Sequence, residues 1–338
     1  MRTRAATSIA IALLIAMAAA SLLILAYGQS PGHVYAVLLG HTWGDRYGLG
    51  QVLFKSTPLI FTGLAVAVAF QAGLFNIGAE GQLLVGGLAM ALVGARCGGL
   101  PAPLAIGLCL AAGALAGAAL GALPGWLRAR FGAHEVINTI MLNFIAQALA
   151  LWLGRRFFFV EQTVHTPAIA DCARLPALGL AGSAASVGFA LALLAAIAVH
   201  GLMRHTRLGF ELRALGQSAT AAAAGGVAIG RAIVVAMALS GGLAGLVGAG
   251  TVLGYKGYYE EGIASGSGFM GIAVALLGRN RPLWIVPAAL LFGTLAHGGL
   301  AVNALVPKEI VEVIQAIVIL AIAASSSDLQ RLAAQGQR

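Results

Sequence analysis

Eight residues, Phe75-Asn76-Ile77-Gly78-Ala79-Glu80-Gly81-Gln82, place two amides, a carboxylate and two glycines between apolar runs at 58–70 and 83–93. Those runs suit a bilayer interior. A charge near the middle of a membrane is costly, and non-helical backbone there must line a cavity or be buried in protein. Polar groups kept at such a position handle something that crosses. Amides both donate and accept hydrogen bonds, so Asn76 and Gln82 suit an uncharged polar solute. A second polar set, Glu135, Asn138 and Asn143, is spaced i, i+3 and i+8. At about 100° per residue these three fall within an arc of about 140°, so one stripe of a helix could face a bundle interior. Phe75, Phe144 and Trp152 add rings that would stack on a flat solute face. Glu312 and Gln315, at i and i+3, form a further inward-facing candidate pair.

Structural roles compete with each of these. A buried amide also serves to bond a neighbouring helix. Glu80 and Glu135 each stand near a helix start, where the helix dipole favours a carboxylate, so either also reads as a cap.

Enzyme chemistry finds few residues to use. The lysines are Lys55, Lys256 and Lys308, and none follows a glycine as a phosphate-binding loop requires. No His-Glu-x-x-His pair occurs, and the seven histidines are dispersed. Gly266-Ser267-Gly268 lacks the flanks of a nucleophile elbow. Cys97, Cys109 and Cys172 have no metal-ligand spacing and are read as free thiols, with a Cys97–Cys172 disulfide the alternative. The expectation is a chain that binds no cofactor or metal and hydrolyses no ATP. Energy would come from a partner or an ion gradient.

The elements that must position the polar residues follow from composition. The 338 residues are 60% hydrophobic and 9% charged, with mean hydropathy +0.93. A soluble domain carries about 25% charge. An all-α polytopic membrane protein is expected, one domain over residues 1–338. About 20 apolar residues cross a bilayer. Ten spans are predicted, near 7–27, 51–70, 78–95, 101–126, 135–153, 183–203, 229–250, 264–278, 283–300 and 309–325. With the N-terminus cytoplasmic, twelve arginines fall inside and eight basic residues outside, which favours N-in, C-in. The formal charge of +9 then belongs to cytoplasmic loops beside anionic lipid, not to a nucleic-acid surface. The first apolar run is too long for a cleaved signal and is read as a retained helix.

Gly113, Gly117, Gly121 and Gly125 recur every fourth residue and predict a smooth face for close helix packing. Gly241, Gly245 and Gly248 predict a similar face. On the cytoplasmic side, the loop at about 204–230 contains Gly209 and Gly216, then the alanine run 221–224 and Gly225-Gly226. Alanine favours helix, and a short helix in such a loop suits docking to a cytoplasmic protein.

Three segments together resemble the permease subunits of ATP-binding-cassette importers. The branch is the one of branched-chain amino acid and ribose permeases, nearest its simple-sugar and nucleoside members. They are residues 75–82, the stretch Gly132-Ala133-His134-Glu135-Val136-Ile137-Asn138-Thr139-Ile140-Met141-Leu142-Asn143-Phe144-Ile145-Ala146, and 209–226 with Arg213-Ala214-Leu215-Gly216. Residues 268–278 also resemble the family's late helix. The resemblance runs from about 55 to 325.

It implies a transport subunit of the bacterial cytoplasmic membrane. Phe75, Asn76, Glu80, Gln82, Asn138, Asn143 and Phe144 would lie at or near the solute path. Gly209, Glu211, Arg213, Gly216, Ala221, Ala222 and Gly226 would belong to a coupling segment that docks on a cytoplasmic ATPase, which alone uses ATP and Mg. A second permease subunit and an extracytoplasmic binding protein are implied partners. The loops 155–182 and 251–262 would offer the docking surface, with Tyr255, Tyr258 and Tyr259 as anchors. A departure is Gln217-Ser218-Ala219-Thr220, where family members often carry charges. Docking is then expected to rest on shape and small-residue packing. The solute would be a nucleoside or simple sugar. An ion-coupled secondary transporter using Glu80 or Glu312, or an importer of branched-chain amino acids, is the alternative.

Overall fold

The computed structural model describes residues 2–263 and 265–324. Thirteen α-helices follow in order: α1 Arg2–Ala26, α2 Pro31–Trp43, α3 Arg46–Gln71, α4 Ala79–Gly94, α5 Ala102–Phe131, α6 Glu135–Leu153 and α7 Gly188–His205. Then come α8 Arg207–Gln217, α9 Ala219–Ala224, α10 Ile229–Gly245, α11 Ser267–Leu277, α12 Pro282–Ala301 and α13 Lys308–Ala324. Short π-helical segments, Gly154–Phe158 and Ala249–Lys256, extend α6 and follow α10. Among the described residues β pairing is confined to two isolated bridges, His165 with Glu260 and Ala177 with Ser186.

Local signals explain the helix ends. Asp45 accepts from the Gly48 N–H and starts α3. Pro31 and Pro282 open α2 and α12, where a missing N–H costs nothing. Gly132, at φ 67°, ends α5 in the left-handed conformation that glycine adopts freely.

α3 is the central mast. Its apolar window is 83% buried, against 28% for α5 and 22% for α6, which present most of their surface outward. Ile60, Phe61 and Leu64 of α3 sit in the main core with Met237 of α10 and Phe292 of α12.

Among the described residues six helices are long and apolar enough to cross a membrane, and a seventh span arises if Leu14–Ala26 and Pro31–Trp43, bent by 113°, count as one. The spans expected at 78–95 and 264–278 are shorter. α4 has 16 residues and α11 has 11. At 1.5 Å per residue they rise about 24 Å and about 16 Å, less than the roughly 30 Å of a hydrocarbon core. The stretch at 28–50, between the first two predicted spans, holds α2. The predicted end of the last span at residue 325 lies outside the described residues.

α5 and α10 meet along a seam of glycine. A Cβ added at Gly117 would strike the Gly241 carbonyl oxygen, and at Gly113 it would lie 3.0 Å from the Gly245 oxygen. Gly121 abuts Gly241 Cα at 3.0 Å and Gly125 abuts Met237 Cβ at 3.0 Å by the same construction. Gly248 does not continue that face. It lies beyond the end of α10 and faces α4, with Gly87 Cα 3.2 Å from a Cβ placed there. All three cysteines are free, and the Cys172 thiol donates to the Cys97 carbonyl at 3.1 Å.

The loop expected to hold one docking helix holds two. Thr206 accepts from the Gly209 N–H at 3.1 Å and starts α8. Ser218, in extended backbone, accepts from the Ala221 N–H at 3.2 Å and starts α9.

Candidate functional site

α4 and α11 have their N-termini at the same place. Glu80, in the first turn of α4, accepts the Gly266 N–H at 2.9 Å through Oε1 and the Gly268 N–H at 2.6 Å through Oε2. The sequence suggested that Glu80 caps its own helix. It caps α11 instead, a helix nearly two hundred residues away. Gly268 permits this approach, since a Cβ there would lie 2.6 Å from Glu80 Cα. At the other end of α11, the Asn280 carbonyl accepts from Gln71 Nε2 at 2.7 Å. Gln71 and Glu80, on either side of the link from α3 to α4, thus hold the two ends of the α11 segment.

Asn143 of α6 pins the same junction. Its Oδ1 accepts from the Gly81 N–H at 2.8 Å, and its Nδ2 donates to the Ile77 carbonyl at 2.9 Å. Behind it lies a closed polar knot. Asn76 is fully buried. Its Nδ2 donates to Gln82 Oε1 at 2.8 Å and Ser240 Oγ at 2.7 Å, while Oδ1 accepts from the Gly78 N–H at 2.9 Å. Ser240 in turn donates to the Ala65 carbonyl at 2.6 Å. The amides of Asn76 and Gln82 bond each other through both ends, so the two residues brace α4 against α3 and α10.

In front of the junction opens a cavity of about 320 Å³. Glu80, Asn143 and Phe144 line it, whereas Phe75, Asn76, Gln82 and Asn138 do not. Phe75 pairs with Phe70 at a ring distance of 4.9 Å, and its N–H reaches Glu135 Oε1 at 3.4 Å. Asn138 has a buried Nδ2 with no partner among the described residues. Glu135 is held in an ion pair with Arg128 at the end of α5, so it ties three segments rather than merely capping α6. Trp152 is exposed and stacks edge-on against Phe157.

Several cavity residues escaped sequence reasoning. Gln147 and Leu151 extend the α6 stripe of Ile140, Asn143 and Phe144 at helical spacing, a pattern that was available. Phe159 and Tyr259 stack at 6.4 Å and an interplanar angle of 26°. Tyr259, read as an interface anchor, is only 3% exposed. Thr166 fixes it, accepting from the Tyr259 N–H at 3.1 Å and donating its own N–H to the Tyr259 carbonyl at 2.9 Å. Burial, with Glu261 nearby, pushes the Tyr259 phenol up to about 12, so the ring stays a protonated donor. Glu261 and Ser265 complete the polar lining. Among the described residues no cluster of His, Cys, Asp or Glu could hold a metal ion.

The loop that holds α8 and α9 meets the C-terminal end of α3. A Cβ added at Gly216 would strike the Gln71 carbonyl and lie 2.9 Å from Gly73 N. Gly73 has φ 70°, and a Cβ there would lie 3.1 Å from Gly216 Cα. Of the other residues expected to dock, Glu211 is engaged by Arg207 at 2.8 Å, Gly209 packs on Leu202 and Met203, and Ala222 is buried. Gly226 adopts φ 83°.

A resemblance to permeases was drawn from short segments. The family described as branched-chain amino acid transport system / permease component matches residues 48–323. The chain belongs to this family. The permease is 40% identical over 322 residues to the guanosine ABC transporter permease protein NupP of Bacillus subtilis, covering 93% of this chain and 92% of the relative. It is 36% identical over 320 residues to the glucose ABC transporter permease protein TsgB13 of Haloferax volcanii, covering 91% and 84%. It is 34% identical over 314 residues to the nucleoside ABC transporter permease protein NupB of Lactococcus lactis subsp. cremoris, covering 90% and 86%. No solved structure matches the permease.

Proposed function

We propose that this permease carries a small neutral polar solute, a nucleoside or simple sugar, through an ATP-driven importer of the bacterial cytoplasmic membrane. The carrying observation is the junction where α4 and α11 begin. Two part-length helices and Asn143 of α6 build a cavity whose two carboxylates are both engaged, Glu80 by backbone N–H groups and Glu261 by Arg155. A site of this kind suits an uncharged solute, and irregular backbone at membrane depth is tolerated where it lines a cavity. The names of the relatives agree with that solute class.

Both termini are cytoplasmic in this reading, as the arginine distribution favours. α4 and α11 each complete a pass with the residues before them, giving ten passes in all. α8 and α9 dock on a cytoplasmic ATPase that binds ATP and Mg, and α8 bears directly on the end of α3 through Gly216. A second permease subunit completes the transmembrane unit, and a binding protein delivers solute to the loops at 155–182 and 251–262.

The test is uptake into vesicles holding the permease with its ATPase and binding protein. Uptake should stop when luminal ATP is removed and persist when a proton ionophore is added. Uptake that survives without ATP but collapses with the ionophore would replace this reading with an ion-coupled transporter.

A further inference from the structure

We infer that the cavity selects solutes bearing an uncharged aromatic heterocycle over hexoses, and that Gln147 is the residue that reads the edge of that ring. The inference rests on the importer reading and narrows its solute class.

The polar side chains of the cavity are mostly occupied. Both oxygens of Glu80 accept backbone N–H groups, and both ends of the Asn143 amide are bonded. Ser265 Oγ donates to the Gly262 carbonyl at 3.0 Å. Glu261 faces Arg155 at 3.9 Å. Two groups in the lining make no side-chain hydrogen bond among the described residues: the Gln147 amide and the Tyr259 hydroxyl.

The rest of the wall is apolar, with four rings beside Leu84, Ile140 and Leu151. Phe144 is 64% exposed and Phe269 51% exposed, and the stacked pair Phe159 and Tyr259 closes another side. A hexose carries hydroxyls on all sides, and each surrenders water on entry. Two free groups cannot replace those bonds, and unpaired polar groups oppose binding strongly. A nucleoside has fewer hydroxyls, all gathered on the ribose, and its base has different needs. Its faces stack on aromatic side chains regardless of identity. Its edge alternates donors and acceptors, and a carboxamide matches such an edge with one donor and one acceptor. The Tyr259 phenol, always protonated near neutrality, donates to a ring nitrogen or ribose hydroxyl. Charge sharpens the choice. Glu80 and Glu261 make the cavity acidic, and the guanidinium of Arg155 is already engaged, so a phosphorylated solute is excluded while a nucleoside is admitted.

The experiment uses the full complex with ATPase and cognate binding protein, reconstituted in vesicles. ATP-driven uptake of adenosine and guanosine is measured with glucose, free nucleobase and nucleoside monophosphate as competitors. Nucleosides should be taken up and free base should compete, while glucose and the monophosphate should not. Gln147→Leu should raise the KM for guanosine about tenfold, the loss of one good hydrogen bond, with maximal rate and ATPase stimulation by the binding protein retained. Purine riboside, which lacks exocyclic edge groups and keeps only ring-nitrogen acceptors, should show a smaller penalty, whereas a merely structural lesion would weaken both solutes equally. Gln147→Asn should recover part of the guanosine affinity. ATP-dependent uptake of glucose in preference to nucleosides, or an unchanged guanosine KM in Gln147→Leu, overturns this inference and leaves the importer reading standing. Loss of ATP dependence for every solute fails the importer reading, and this inference with it.

Discussion

Two helix contacts hold this permease together by opposite means. The α5–α10 seam is regular, apolar and made of glycine on glycine. The α4–α11 junction is irregular, polar and made of single side chains capping distant backbone. In the seam the attraction is dispersion over many close atoms, which no one group dominates. At the junction a few charge-assisted bonds carry the geometry, and each is individually strong. The first arrangement suits a part that keeps its shape. The second suits a part whose shape has a few discrete options.

Substitutions separate the two. Gly117→Leu should do the most damage, because the added carbons meet the Gly241 carbonyl and force two long helices apart. A cost of about 3 kcal/mol is expected from overpacking, read as a lowered unfolding temperature of the purified permease and loss of all uptake. Glu80→Ala comes next. It strips two backbone N–H groups of a charged acceptor, costing about 2 kcal/mol, and hydrogen exchange should rise at 266–271 while the α5–α10 seam stays protected. Equal exchange at both places would erase the distinction drawn here. Asn76→Ala should cost about 1–2 kcal/mol by leaving Gln82 and Ser240 unpaired in the core, seen in thermal unfolding with uptake reduced only in proportion. Gly216→Trp should leave the thermal stability of the seam intact yet abolish copurification of the ATPase. Retained copurification would remove α8 from the docking role.

The smallest effect concerns pH. The Tyr259 phenol is raised in the folded protein to about 12, above its ordinary value of about 10. Its contribution to stability is therefore complete below about pH 10 and lost as pH rises toward the folded value. Uptake between about pH 6 and pH 9 should show no titration from this ring, and a Tyr259→Phe variant should have the same pH profile.

The seam was legible in the sequence because a four-residue period fixes a face without knowledge of the partner helix. The family and the polar character of residues 75–82 were legible too, since polar residues inside apolar runs are conspicuous. What Glu80 holds was not. Its acceptors' partners are Gly266 and Gly268, and no spacing relates residues so far apart. Asn76 and Asn143 looked equivalent as amides in apolar surroundings, yet one is sealed in a knot and the other borders the cavity. Only packing decides which way each points. Gln147 was within reach of helical periodicity. Tyr259 was not, because its burial depends on Thr166 in another loop.

Gly216 against Gly73 has one further consequence. Where side chains meet, a small push is absorbed by a rotamer change before it reaches the backbone. Here main chain bears on main chain, at a residue whose left-handed φ leaves few substitutes. The contact has no slack. A shift of α8 by a few tenths of an ångström arrives at the end of α3 undiminished, as one meshed tooth moves the next.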